Sequence, residues 1–286
     1  MVLPTELIDL IFSFLSDDIS ALKACSKVRH SLFSKHAKRR LYKDIVIRKS
    51  DIRDLRKQIS EDPSLLDYPR TLEIRTPITT STQVHSIIQM IPRMPNLKSL
   101  TLQRTPYRDD QQEDFISMFG RCLQQSSINE LFLSRFSDFP LSLLDNVKNI
   151  RKLTLDDCSA KKEVMPGSES DPTHRQPTLP LATLRISRYN AQDIRFWADR
   201  QITSLTWLEL CAPKPNYDWT AIPVLLTACS SSLTTLHLDT RSHCMPYSSI
   251  ISLKLTYVIG QSEYSYNEDH HGKSHSYALV LFLKNT

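Results

Sequence analysis

His270, His271 and His275, with Glu268 and Asp269 just ahead of them, form the one grouping in this 286-residue chain whose side chains suit a metal ion. Imidazoles and carboxylates hold a zinc-like ion well only where a scaffold fixes their geometry. The surrounding stretch, Gln261 to Ser276, is polar and without periodicity, so no metal and no cofactor are expected. Acid/base chemistry has no better basis, because Asp109–Asp110, Asp156–Asp157 and Glu268–Asp269 are adjacent in sequence and read as solvated pairs. Cys25, Cys122, Cys158, Cys211, Cys229 and Cys244 contain no Cys-x-x-Cys pair, which suits neither a zinc knuckle nor a dense disulfide framework. They read as reduced thiols, several of them in the core. Glycine is the most informative count: only 4 are present, Gly120, Gly167, Gly260 and Gly272, where about 20 would be usual for this length. Phosphate-cradling loops and the elbow of serine hydrolases need clustered glycines, so kinase, dinucleotide-binding and serine-hydrolase readings fall away. No enzyme is expected.

The composition is that of a globular protein, with 40% hydrophobic and 23% charged residues and a mean hydropathy of -0.31. No apolar run approaches the roughly 18 to 20 residues a bilayer requires, so no membrane association is expected. Glu6, Asp9, Asp17 and Asp18 interrupt the first 20 residues, and no basic start precedes them, which argues against a signal peptide. An intracellular location, cytoplasm and/or nucleus, follows. A net charge of +5 is too mild to imply a nucleic-acid partner. The local run Lys35, His36, Lys38, Arg39, Arg40 and Lys43 reads as a solvated helix end, favoured there by the macrodipole.

Helices are the first elements called for. Thr5 is a suitable cap, and Leu7, Ile8, Ile11, Phe14 and Leu15 recur at three- and four-residue steps. Ser20 to Val28 repeats the pattern with Leu22, Cys25 and Val28 on one face. A third helix from about Ser31 carries Leu32, Phe33, Ala37 and Leu41. Three short helices enclose too little interior to use all these apolar positions, which implies a partner or an adjoining domain.

Leu3-Pro4-x-Glu6-Leu7-Ile8-x-x-Ile11-x-x-x-Leu15, then Leu22-x-x-Cys25-Ser26-x-Val28, then Leu41-Tyr42-x-x-Ile45-x-Ile47, resembles an F-box over residues 1–47. The resemblance implies docking onto the Skp-type adaptor of a cullin-RING ubiquitin ligase. The docking residues it implies are Leu3, Pro4, Glu6, Leu7, Ile8, Ile11, Leu15, Leu22, Cys25 and Val28. The family usually places a large aromatic after the serine of the third helix, whereas Leu32 follows Ser31 here.

Beyond these helices the chain repeats an aliphatic triple spaced L-x-x-L-x-L. The frames are Leu97, Leu100, Leu102; Ile128, Leu131, Leu133; Ile150, Leu153, Leu155; Leu181, Leu184, Ile186; Leu205, Leu208, Leu210; Leu233, Leu236, Leu238; and Ile250, Leu253, Leu255. Tyr42, Ile45, Ile47 and Pro69, Leu72, Ile74 fit with one substitution each. Successive frames start between 17 and 31 residues apart, near the spacing of leucine-rich repeats. Amphipathic segments lie between them, at Ile52, Leu55, Ile59; at Val84, Ile87, Ile88, Ile91; at Phe115, Met118, Phe119, Cys122; at Ile194, Trp197, Ala198; and at Trp219, Ile222, Leu225, Leu226, Cys229. The expected fold is α/β, a three-helix F-box followed by an irregular leucine-rich-repeat solenoid with a parallel inner sheet. Consensus repeats place Asn or Cys three positions after the last strand leucine; only Cys158 does so here.

The expected domains are 1–47, helical; 48–258, repeats, with 159–180 a flexible inserted loop; and 259–286, an irregular tail. On the sheet, the residue between the last two aliphatics of each frame faces outward, giving the row Glu73, Thr101, Phe132, Thr154, Arg185, Glu209 and His237, with Trp207 beside it. From this row Phe132, Arg185, Trp207, Glu209 and His237 are the candidate contacts to a protein substrate. The function expected is a non-catalytic substrate receptor of a Skp-cullin-F-box ligase. The alternative is a leucine-rich-repeat scaffold with an N-terminal helical cap and no ligase role.

Overall fold

The computed structural model describes residues 4–28, 31–48, 50–75, 86–103, 112–136, 139–140, 143–144, 147–159, 179–189, 191–199, 202–211, 221–239, 259–266 and 277–283. Leu3, most of the 159–180 insertion, the Ile250-Leu253-Leu255 frame and the His270, His271, His275 grouping lie outside them. The chain divides into two compact units, Met1–Ile128 and Asn129–Thr286.

In the first unit, α1 (Thr5–Phe14), α2 (Ile19–Ser26) and α3 (Ser31–Leu41) form the N-terminal bundle. Thr5 is already helical, so it does not cap α1; Pro4 holds that position and only its carbonyl serves, accepting from the amides of Leu7 and Ile8 at 3.2 Å each. Asp18 caps α2 in full, its carboxylate accepting from the Ala21 amide at 2.9 Å. Ile8, Phe12, Leu22 and Ala37 are the bundle's core, with Leu15, Cys25, Leu32, Phe33 and Leu41 packed around it. Phe33 lies 5.9 Å from Phe12 between ring centroids, so an aromatic one position beyond Leu32 packs against the bundle core.

Two residues after α3 the chain enters β1 (Asp44–Ile47), followed by α4 (Asp51–Glu61), a 3-10 turn at Pro63–Asp67, β2 (Thr71–Ile74), a second 3-10 turn at Ile91–Arg93, β3 (Ser99–Gln103) and α5 (Gln112–Gln125). β1, β2 and β3 are parallel, and their aliphatic frames align residue for residue: Ile45 with Leu72 with Leu100, and Ile47 with Ile74 with Leu102. Lys38 of α3 reaches Asp62 beyond α4 at 2.7 Å, which ties the bundle to the first strand-helix unit.

The second unit holds β4 (Glu130–Ser134), β5 (Lys152–Asp156), β6 (Thr183–Ser187), α6 (Ala191–Ala198), β7 (Trp207–Cys211), α7 (Ala221–Ala228) and β8 (Thr235–Asp239). β4 to β8 are parallel and in register, with Leu131, Leu153, Leu184, Leu208 and Leu236 in one row and Leu133, Leu155, Ile186, Leu210 and Leu238 in the next. All ten are buried, as are Ile194 and Trp197 of α6 and Ile222 and Leu225 of α7. Residues 259–286, expected to be irregular, contain two strands instead. β10 (Tyr277–Leu283) pairs antiparallel with β8, and β9 (Ile259–Tyr266) pairs antiparallel with β10. A hairpin can return antiparallel without a helical crossover, which is why a segment lacking the frame spacing still joins the sheet.

The scarcity of consensus Asn is compensated by a different ladder. The residue just before a frame donates to the carbonyl of the preceding frame's first residue, Ser127 to Leu97 at 2.7 Å, Ser204 to Leu181 at 3.1 Å and Ser232 to Leu205 at 2.8 Å, and Asn96 donates at 2.7 Å to Asp67, two residues ahead of the Pro69 frame. Cys158, the one consensus position, donates its thiol to the Leu133 carbonyl at 3.4 Å. Its equivalents Phe136 and Tyr189 are instead 1% exposed and fill volume. The corner after each of three strands is left-handed, at Arg135 (φ 61°), Asp157 (φ 54°) and Arg188 (φ 53°). This costs a non-glycine residue roughly 1 kcal/mol or more. Each corner amide meets the next strand's last carbonyl at 2.7 to 3.0 Å, which offsets the strain.

Candidate functional site

Two surfaces carry the residues singled out by type and spacing, one in each unit. The first is on α1. Its inward side is Ile8 and Phe12, and its outward side is the stripe Leu7, Leu10, Ile11 and Phe14, spaced i, i+3, i+4, i+7. These four are 46%, 51%, 40% and 81% exposed. Ile19 at the start of α2 and Val28 beyond its end are also exposed, so the bundle presents six large apolar side chains to water. Such a concentration on two short helices differs from the scattered apolar residues of an ordinary surface.

Of the expected docking residues, Pro4, Glu6, Leu7, Ile11 and Val28 are exposed, while Leu15 and Cys25 are half-buried against the bundle core. Ile8 and Leu22 are 1% and 2% exposed. These two hold the helices together and have no surface left to offer a second chain. Leu10, Phe14 and Ile19 are exposed on the same bundle and were not among the expected docking residues. The signal for Leu10 and Phe14 was their three- and seven-residue distance from Leu7.

The second surface is the open face of β4 to β8. Phe132, Thr154, Arg185, Glu209 and His237 are direct neighbours across the five strands, in the row expected of them. Arg185 is exposed, whereas Phe132 and His237 are half-buried. Glu209, expected as a contact, is 6% exposed. Its carboxylate lies between the Arg185 guanidinium at 3.5 Å and His237 Nδ1 at 3.2 Å, and it accepts from the Cys211 thiol at 3.1 Å. The short acid sits low between long neighbours, so Glu209 orients Arg185 and His237 and does not itself face outward. Trp207, two residues earlier on the same face and half-buried, stands between Thr183 and Thr235.

A second acid is treated the same way. Asp156 accepts from Arg188 Nη2 at 2.8 Å and Nε at 3.3 Å, and from the Ser134 hydroxyl at 3.1 Å. That hydrogen bond to Asp156 holds the Arg188 guanidinium above its ordinary pKa. The left-handed corner at 188 aims the side chain back across the sheet. In the first unit Val46, Glu73 and Thr101 form the corresponding row. Glu73 there takes a two-pronged contact from Arg75 at 2.7 and 3.0 Å.

Three of the described thiols are poor nucleophiles. Burial pushes Cys122 and Cys158 up to about 12 and Cys229 up to about 11, far from thiolate formation at neutral pH. Among the described residues, no three His, Cys, Asp or Glu side chains converge as a metal site would need, and no helix is long and apolar enough to cross a membrane. In comparisons with known proteins, no family model and no curated protein matches the chain.

Proposed function

We propose that this protein is the substrate receptor of a Skp-cullin-F-box type ubiquitin ligase, with the N-terminal bundle docking the adaptor and the degenerate leucine-rich repeats holding a target protein. The observation that carries the reading is the uncovered stripe Leu7, Leu10, Ile11 and Phe14 on α1, within the segment whose residues resemble an F-box. Covering it removes apolar surface that the chain's own fold leaves in water.

No catalytic residue is required of such a receptor. It acts by holding acceptor lysines near the conjugating enzyme, which raises their effective concentration and removes the entropy cost of a bimolecular encounter. Phe132, Arg185, Trp207 and His237 are the contacts proposed for the target, with Glu209 positioning two of them. The competing reading, a scaffold whose helices merely cap the repeats, draws on the Lys38–Asp62 tie but gives the exposed stripe no role.

A pulldown of the Skp-type adaptor with the full chain separates the two readings. The receptor reading expects capture by the wild type and loss of capture for Leu7→Asp and Ile11→Asp. No capture by a folded wild type would remove it.

A further inference from the structure

β1 is an edge. Among the described residues it pairs with β2 on one side and with no strand on the other, and strand main chains alternate the direction of their polar groups residue by residue. The carbonyl of Lys43 accepts from the amides of Arg70 and Thr71, and that of Ile47 accepts from Arg75, all from the β2 side. Positions 43, 45 and 47 therefore turn toward β2, and Asp44 and Val46 turn their N–H and C=O groups away. The next residue of that parity, Arg48, is satisfied by α4: its amide donates to the Asp51 carboxylate at 3.0 Å and its carbonyl accepts from the Asp51 amide at 2.9 Å. Asp44 and Val46 receive no such help.

Along this edge runs an open groove of about 360 Å³. Its walls include all four β1 residues and no residue of β2, which places it on the unpaired side. Tyr42, Ile45 and Leu55 supply apolar wall. Asp44, Asp51 and Asp54 supply three carboxylates, and no Lys or Arg lines the groove among the described residues. The Asp44 carboxylate accepts from the Thr71 hydroxyl at 2.6 Å and that of Asp51 from the Ser50 hydroxyl at 2.7 Å, which fixes two of the three acids along the wall.

From these features we infer that β1 accepts an extended segment of a partner protein as an added strand, with an apolar side chain over Ile45 and Leu55 and lysine or arginine residues beside Asp44, Asp51 and Asp54. Main-chain pairing to Asp44 and Val46 supplies affinity, and the carboxylates select a basic segment over an acidic one. The groove shares no residue with the α1 stripe, so this inference goes beyond the adaptor reading and stands or falls separately from it.

The test uses the full chain and a fluorescent, end-capped five-residue peptide with valine at its centre, lysine at both ends on the same face as the valine, and threonine at its second and fourth positions. Anisotropy titration is expected to show saturable binding that weakens with added salt. N-methylation of the peptide amides that would face β1, or glutamate in place of both lysines, should each weaken it at least ten-fold. Asp54→Asn should weaken it several-fold. Val46→Pro removes one of the outward amides and should melt as the wild type does while binding at least five-fold more weakly, since an edge strand tolerates proline. Leu7→Asp should bind the peptide normally even where it loses the adaptor. Equal binding of the N-methylated and unmodified peptides, no binding by the folded wild type, or unfolding of Val46→Pro would each overturn the inference.

Discussion

Leu7→Asp is the sharpest perturbation of the exposed stripe because its effects on folding and on docking separate. Leu7 lies in the first turn of α1, where a carboxylate is favoured by the helix dipole by about 0.3 to 1 kcal/mol. About half of its surface is already covered in the free chain, so losing those contacts costs roughly 1 kcal/mol. The two nearly cancel, and the thermal transition should move by only a few degrees. Docking is another matter. The four stripe residues together leave about two side chains' worth of apolar surface uncovered, worth roughly 3 to 6 kcal/mol when another chain covers it. Replacing Leu7 forfeits about 1 kcal/mol of this and places an unpaired carboxylate in the contact, at a cost of about 2 kcal/mol more. At about 1.4 kcal/mol per decade, adaptor affinity should fall on the order of 100-fold. Calorimetric titration with the Skp-type adaptor, alongside melting curves, measures both quantities. Ile8→Asp is the contrast: with Ile8 1% exposed, it should unfold the bundle. Wild-type affinity for Leu7→Asp at an unchanged melting temperature would refute the reasoning.

Other consequences follow from the packing and the charges. The Lys38 ammonium beside Asp62 holds that carboxyl below its ordinary value of 3.8, and Asp62 in turn raises Lys38 above 10.5. The contribution of Asp62 is complete above pH 3.8 and fades as pH falls through its lower folded value, whereas that of Lys38 is complete below pH 10.5 and fades as pH rises through its higher one. Melting curves of the wild type and Asp62→Asn should therefore differ most between these limits and converge at low pH, by an amount of about 1 kcal/mol or less for so exposed a pair. Ser204→Ala and Ser232→Ala each remove a donor to a preceding repeat and should cost about 1 kcal/mol apiece in denaturant titrations. Phe12→Ala, at a fully buried position, should cost about 3 to 5 kcal/mol. Native protein titrated with a thiol reagent near neutral pH should leave Cys122, Cys158 and Cys229 unmodified until it is unfolded, as peptide mapping would show.

Much of the architecture was legible because it is written in local periodicity. Eight aliphatic frames, from Ile45-Ile47 to Leu236-Leu238, became β1 to β8, and the Ile52, Phe119, Ile194 and Ile222 segments became helices. A strand buried on one face must repeat every two residues and a helix every three or four, so spacing alone locates both. The row Phe132, Thr154, Arg185, Glu209 and His237 could be written down in advance for the same reason: parallel strands in register place equivalent residues side by side.

What spacing could not assign was which apolar residues the fold would use. Leu7 and Ile8 are neighbours of nearly equal hydrophobicity, yet α3 covers one and leaves the other in water. That choice depends on how α1 is rotated against its neighbours. The same holds for Glu209, whose burial follows from the reach of Arg185 and His237 on adjacent strands. It holds for β10 as well, which enters the sheet by pairing with β8 rather than by any frame of its own. Composition and periodicity determined the elements and the faces they must bury; only the packing of distant segments decided which side chains remained exposed, because exposure belongs to the assembled surface and not to the residue.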